Sequence, residues 1–353
     1  MDKAVNSRWM IYGAYGYTGE LIAREAVRRG HRPVIAGRSE AKLAPLAEEL
    51  GIEHRAFDLA GAETGLSDIA VVLNCAGPFS STAAALVDAC LKTKTHYVDI
   101  TGEIPVFQMC HEFDTEAKDA GILLCPGAGF DIVPTDCLAA MLEDRMPEAQ
   151  TINLAFSFGT RPSIGTARTI VEGMTSGGLI RRDRQLVAVA NGYRVRRIAF
   201  PGGPLWAVTI PWGDVFTSGV STGAANGMVY MALPRALGIL MRLTNPLRGL
   251  LGTGWAQRRL NDLVDRLFSG GPDAEARANQ RTAFWGEAID AAGRRTTMRM
   301  SAPNAYELTA DAALEIALYC LSATGRSGYV TPSMLLGPEF IGSRPGVRID
   351  ANA

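Results

Sequence analysis

Cysteine, histidine and net charge are all scarce in this 353-residue chain, and each scarcity removes a class of function. The six cysteines (Cys75, Cys90, Cys110, Cys125, Cys137 and Cys320) are scattered and form no C-x-x-C pair, which argues against a thiolate zinc site and against a disulfide framework. The four histidines (His31, His54, His96 and His111) show neither H-E-x-x-H nor another metal spacing, so no metal is expected. Lys and Arg number 35 against 36 Asp and Glu, a net charge of −1. That balance, with no basic stripe carrying interleaved aromatics, excludes nucleic acid as an expected partner. The polar first residues lack a signal-peptide core, and a reducing cytoplasm is the expected compartment. No Tyr-x-x-x-Lys pair or His-Asp dyad stands where a short-chain dehydrogenase would need its catalytic groups.

What the chain does have is glycine, 38 of them, and a composition 47% hydrophobic and 20% charged that can bury a large core in two domains. Seven residues near the start matter most: Gly13, Ala14, Tyr15, Gly16, Tyr17, Thr18 and Gly19, between an apolar strand predicted at 8–12 and a helix predicted at 20–29. Glycines at this spacing permit a tight turn and let a pyrophosphate approach bare backbone N–H groups at a helix N-terminus. The second strand, 32–36, runs into Gly37, Arg38 and Ser39, where an NAD site would usually place an acidic residue against the ribose 2′-hydroxyl. Arg38, with Ser39 and Lys42 close by, suits a 2′-phosphate instead and favours NADP(H). A solvated arginine at a strand end is the plainer alternative.

Residues 8–130 continue to alternate apolar runs with helical patterns, the signature of a parallel sheet with crossover helices. A helix at 41–50 leads to a strand at 54–57, ended by Asp58, whose carboxylate can reach the adenosine end. The strand at 70–74 stops at Cys75, Ala76, Gly77 and Pro78, small residues that would let a cofactor lie against the backbone. Helices at 83–91 and 105–120 lead to strands at 96–100 and 122–125. The loops after these strands carry Thr101 and Glu103, and then Asp131, all expected to open onto the cofactor cleft. Helix capping by Thr101, Asp131, Thr135 or Asp136 explains the same residues without chemistry. From the middle region, Arg161, Thr166 and Arg168 join the candidates, since arginine suits a carboxylate, phosphate or thioester carrier. The catalytic set expected is Thr101, Glu103, Asp131, Thr166 and Arg168.

The middle region reads as strands at 151–158, 194–200, 205–210, 281–289 and 295–300, a mainly antiparallel sheet able to pair across a homodimer, with helices at 165–173 and 307–321. Between 228 and 260 the chain is apolar, punctuated by Arg235, Arg242, Arg248, Arg258 and Arg259. Pro234, Pro246 and the arginines interrupt it too often for a membrane span of about 20 apolar residues. It reads either as buried helices over the core or at a dimer interface, or as a face that meets lipid or a greasy substrate.

The strings IYGAYGYTG, AGRS, NCAGPF, HYVDITGE and PGAGFDIVPTD together resemble the saccharopine dehydrogenase-like oxidoreductases, including the trans-acting enoyl reductases of bacterial lipid synthesis. Segments 163–169, 177–183, 210–223, 284–295 and 329–341 are similar to landmarks of that family in the same order. The resemblance implies an α/β protein: a Rossmann-type parallel sheet, residues 1–130, interrupted by an α+β substrate or dimerisation domain, 131–302, and completed by a return through 303–353. It also implies an NADPH-dependent reductase of a conjugated C=C in a small, acyl or polyketide-like substrate. A saccharopine-type C=N oxidoreductase and a non-catalytic NADP-binding or lipid-associated scaffold remain open beside it.

Overall fold

The computed structural model describes residues 8–158, 177–243, 245–247, 280–323 and 325–350, with isolated positions between 253 and 262. The predicted helix at 165–173 and the candidates Arg161, Thr166 and Arg168 lie outside these residues. Chain contacts divide the protein into two compact units, 1–133 with 306–337 and 134–305 with 338–353.

The first unit is a seven-stranded parallel sheet. Its strands are β1 (Trp9–Tyr12), β2 (Val34–Gly37), β3 (His54–Ala56), β4 (Val71–Asn74), β5 (His96–Asp99), β6 (Leu123–Cys125) and β15 (Gly328–Tyr329). They stand in the order β15-β6-β5-β4-β1-β2-β3. β1 and β4 are buried along their whole length, as a sheet covered on both faces requires. The chain leaves β1 toward β3 on one side and resumes at β4 toward β15 on the other, so the strand order reverses between β1 and β4. At such a switch point the crevice beyond the strands' carboxyl ends receives ligands.

The crossover helices are α1 (Tyr17–Arg28), α2 (Glu40–Leu50), the short α3 (Ala62–Gly65), α4 (Phe79–Thr93), α5 (Ile104–Glu112) and α6 (Asp114–Ala120). α1 buries Gly19, Ile22, Ala23 and Ala26 at helical spacing, and begins three residues before the predicted start. The single helix predicted at 105–120 is two, broken at Phe113, where φ −85° and ψ 13° leave the helical region.

Beyond the second unit the chain comes back as α10 (Ala305–Ser322), whose buried residues include Leu308, Ala312, Leu314 and Ala317. Arg29 of α1 pairs with Asp311 and Glu315 of this helix, and β15 then extends the sheet beside β6.

The second unit is a nine-stranded mixed sheet: β7 (Ala149–Ser157), β8 (Gly178–Arg182), β9 (Gln185–Val189), β10 (Val195–Phe200), β11 (Gly203–Ile210), β12 (Asn226–Ala232), β13 (Thr282–Asp290), β14 (Arg295–Ala302) and β16 (Arg348–Asp350). All its pairings are antiparallel except β7 with β12. α7 (Val133–Arg145) lies tight against β13: a side-chain carbon on Gly286 would meet Leu142 Cδ1 at 2.6 Å. α8 (Asp214–Thr222) precedes β12, and α9 (Arg235–Leu243) follows it.

Three expectations need correction. Residues 228–232, expected to open an apolar helical stretch, form most of β12, because both edges of that segment are hydrogen-bonded, to β7 and β11. The return through 303–353 ends at 337, because β16 pairs with β14 of the second sheet. Asp136, considered as a helix cap, is buried inside the first turn of α7.

Candidate active site

The glycine turn joins β1 to α1 at the switch point. Gly13 has φ +83°, and a side-chain carbon there would fall 2.7 Å from the backbone nitrogen of Ala76, so only glycine fits. At Gly19 the same carbon would meet Gly13 O at 2.5 Å and Ala14 Cα at 2.9 Å, which fixes how closely α1 approaches the turn. Gly16 differs: its substituent would touch only Gly13 O, at 3.2 Å, and otherwise point into open space. Gly16 is also the N-cap of α1, and no side chain caps the helix. An uncapped 12-residue helix behind an open glycine presents backbone N–H groups and a positive dipole end to an anion.

The other end of this groove is cationic. Tyr15 lays its ring over Gly37, where a side-chain carbon would come within 2.7 Å of Tyr15 Cε1, and Lys42 sits 5.4 Å above that ring. Arg38, next in line, is exposed and makes no hydrogen bond or ion pair among the described residues. The arginines of the surrounding surface are paired: Arg8 with Glu53 and Asp68, Arg24 with Glu49, Arg28 with Glu25, Arg55 with Asp68. Arg38 and Asp58 both act electrostatically on the hydroxyl of Tyr12, whose pKa burial raises and Arg38 pulls back. Ser39 is the N-cap residue of α2. Asp58 spends one carboxylate oxygen on Gly61 N, 3.1 Å away, capping a short 3-10 turn.

Beyond β4 and β5 lies a buried polar network that sequence reasoning missed. Asn74 Nδ2 donates to Thr82 Oγ1 and to Tyr97 Oη, each at 3.2 Å, and its Oδ1 accepts from Ala76 N at 3.0 Å. Tyr97 donates to Asp99 Oδ2 at 2.8 Å, while Asp99 Oδ1 accepts from Thr101 N at 3.0 Å and Gly127 N at 2.8 Å. Asp99 thereby pins the loops after β5 and β6 together. Burial pushes its carboxyl up to about 6, and the Thr101 and Gly127 amides limit the rise. The available signal was an aspartate ending a strand otherwise buried on both faces.

The sequence candidates receive distinct positions. Cys75 N bonds Tyr12 O at 2.7 Å, which ties the small-residue loop to the glycine turn. Gly77 and Pro78 run exposed to the start of α4. Glu103 accepts from Phe79 N at 2.9 Å and Ser80 N at 2.8 Å, one bond to each carboxylate oxygen, so it caps α4 from a neighbouring loop. Thr101 is fully buried and accepts from Glu103 N at 3.0 Å. Asp131 packs over Gly102, where a side-chain carbon would lie 3.0 Å from Asp131 Oδ2, and burial pushes its carboxyl up to about 7. The structure thus brings Thr101, Glu103 and Asp131 together around the loop after β5, with Glu103 bonded to the start of α4. Among the described residues no group of histidines, cysteines and carboxylates could hold a metal ion.

Residues 9–125 match the family model of the saccharopine dehydrogenase NADP binding domain. A trans-acting enoyl reductase of Mycobacterium ulcerans is 31% identical over 157 residues, 41% of this chain and 38% of that protein. A saccharopine dehydrogenase-like oxidoreductase of Mus musculus is 25% identical over 206 residues, 50% of this chain and 48% of that protein. The chain therefore spans less than half the length of these relatives. Among solved structures, the L-Glu-forming saccharopine dehydrogenase of Saccharomyces cerevisiae shares the fold, with a TM-score of 0.65 at 12% identity over 98% of this chain and all of that one. The chain resembles the saccharopine dehydrogenase-like oxidoreductases, its fold is theirs, and NADP is its cofactor.

Proposed function

We propose that this chain is an NADPH-dependent oxidoreductase that reduces a conjugated C=C of a small, acyl or polyketide-like substrate. The cofactor supplies hydride when bound. Gly13, Gly16, Gly19 and the N-terminus of α1 would hold its pyrophosphate, and Arg38 with Lys42 its 2′-phosphate. Glu103 orients α4, and with it the loop 75–78, and Asp99 holds the loops that carry Thr101 and Asp131. Asp131, with its carboxyl raised toward neutrality, can keep a proton for the α-carbon or the carbonyl oxygen of a conjugated acyl group.

One observation carries the choice of substrate. The loops after β4, β5, β6 and β15, which form the rim of the first unit beyond its glycine turn, contain no lysine or arginine, while Glu103 and Asp131 stand there. A dicarboxylate imine would find no counter-charge on that rim, whereas a neutral enoyl group needs none. The name of the mycobacterial relative supports the same reading. Exposed Leu237, Ile239, Leu240 and Leu243 on α9 support a further contact of this region with an acyl chain, a lipid surface or a second copy of the chain. No helix among the described residues is long and apolar enough to cross a membrane.

The test is transfer of deuteride from 4-deuterated NADPH to enoyl thioesters, run beside 2-oxo acid and amine pairs that form imines. Label at the β-carbon of a saturated thioester is the expected result. Label only in amine products would establish the C=N reading, and no transfer to either class would favour the scaffold.

A further inference from the structure

Acidic residues are almost missing from one long stretch of the second unit. Residues 184–261 hold nine arginines and one acidic residue, Asp214, while the other 35 of the protein's 36 acidic residues lie outside it. Asp214 does not offset the arginines at the surface, because it is fully buried and accepts from the Thr135 hydroxyl at 2.8 Å.

α9 lies in this stretch. Its Gly238 faces the mixed sheet, where a side-chain carbon would meet Val208 Cγ2 at 2.7 Å and Val195 Cγ2 at 3.0 Å. Opposite Gly238 on the helix stand Ala236, Leu240 and Leu243, flanked by Leu237 and Ile239. All five are exposed, Leu243 to 71%. The outward face of α9 is therefore apolar without interruption, and Arg235 and Arg242, two turns apart, border it on one side.

The sheet beside α9 carries the same combination. Arg197 of β10 pairs directly with Trp206 of β11, and each lies two residues along its strand from the valine that touches α9, so both share the face that α9 covers. Both are exposed, and the Arg235 guanidinium lies 5.0 Å from the centre of the Trp206 ring. Arg197, Arg235 and Arg242 have no carboxylate partner among the described residues. Arg196, on the opposite face of β10, pairs with Glu287. Farther along the acid-poor stretch the pairing recurs: Trp255 is 63% exposed, with Arg259 5.8 Å from its ring centre.

Cations alone suit any polyanion and leucines alone any greasy partner, so the combination selects the occupant. A second copy of the chain, docked about a two-fold axis, would meet the same arginines with no carboxylate in the patch to pair with them. A single acyl chain is uncharged and needs none of them. An anionic membrane surface meets both features: leucines enter the acyl boundary, arginines reach the phosphates, and tryptophan rings sit at headgroup level. At nine residues α9 is about 13 Å long, a length that lies along such a surface and does not cross it.

We propose that α9, with Trp206 and Arg197 beside it, docks the protein on a lipid bilayer bearing anionic headgroups. The surface belongs to the second unit and includes no residue of the glycine turn, so it stands apart from the reading of the hydride chemistry.

Flotation of the full chain with two kinds of vesicle tests it: phosphatidylcholine alone, and phosphatidylcholine with phosphatidylglycerol in equal parts. The chain should float with the mixed vesicles, less so as salt rises, and stay behind with the neutral ones. Arg197→Gln, Arg235→Gln and Arg242→Gln should each weaken binding about fivefold, the effect of one basic side chain near an anionic surface. Leu240→Asp should weaken it about tenfold or more. All four side chains are exposed, so the unfolding temperature and NADPH affinity of each variant should match the parent's. Sedimentation velocity reads the competing occupant: a dimer that Leu240→Asp dissociates would put a second copy on this face and overturn the proposal. Equal binding to both vesicles, binding to neither, or mixed-vesicle binding that Leu240→Asp leaves intact would overturn it too.

Discussion

Glu103 separates a chemical role from a positioning one most sharply. Its two carboxylate oxygens accept from the first two amides of α4, and Pro78, the N-cap residue, offers the helix no side-chain cap. Glu103→Ala leaves both amides to solvent. Loss of a helix cap costs about 0.5 to 2 kcal/mol, and the ionised acceptor and partial burial here place the expected loss near the top of that range, about 2 kcal/mol. Glu103→Gln keeps one acceptor oxygen and loses the charge, and should cost about half as much. Urea denaturation of the three proteins gives these values directly, and a parallel NADPH titration should weaken severalfold in the alanine variant as α4 shifts the loop 75–78. Turnover on the enoyl thioester should follow cofactor affinity rather than fall independently. A proton donor would behave otherwise, because amide replacement of a general acid removes a factor of about 10² to 10⁴ in rate. Full stability with turnover reduced more than about a hundredfold in Glu103→Gln would refute the capping argument and return Glu103 to the chemistry.

Arg38→Ala should erase most of the preference for NADPH over NADH, about tenfold or more for a lost charge-assisted bond, and equal affinity for both cofactors in the parent protein would reject the 2′-phosphate assignment. Gly16→Val fills the open space before α1 and should abolish cofactor binding while circular dichroism stays unchanged; retained affinity would place the pyrophosphate elsewhere. Asp131 has a raised carboxyl pKa, from 3.8 to about 7, so its stabilising contribution is complete below the lower value and lost as pH rises through the upper one. Asp131→Asn cannot ionise, so its stability relative to the parent should improve by about 4 kcal/mol between about pH 4 and pH 8, at about 1.4 kcal/mol per pH unit of the window, whereas parallel stability curves would show the carboxyl to be unshifted.

The nucleotide half of the fold was legible because its signals are local. An apolar strand, three glycines at fixed spacing and a helix occupy twenty consecutive positions, Trp9 to Arg28, and Arg38 follows one strand later. What was not legible depends on partners far along the chain. Glu103 reads as a cleft carboxylate until Phe79 and Ser80, 24 and 23 residues away, are seen to donate to it. Asp99 gains its place from Gly127, 28 residues on. The run from Met228 to Ala232 is apolar enough for a helix, and only hydrogen bonding to β7 and β11 makes it a strand.

The discontinuity of the first unit has a consequence for synthesis. Its glycine turn and six of its seven strands emerge from the ribosome by residue 125, but α10 and β15 follow about 180 residues later. Until then β6 shows an unpaired edge, Arg29 lacks Asp311 and Glu315, and the amide of Phe130 lacks the Thr309 hydroxyl that receives it at 3.0 Å. An exposed strand edge invites pairing with other chains. The nascent nucleotide half must therefore wait, incomplete, while most of the second unit is made, and a fragment cut at residue 133 would carry the whole glycine turn yet keep that sticky edge permanently.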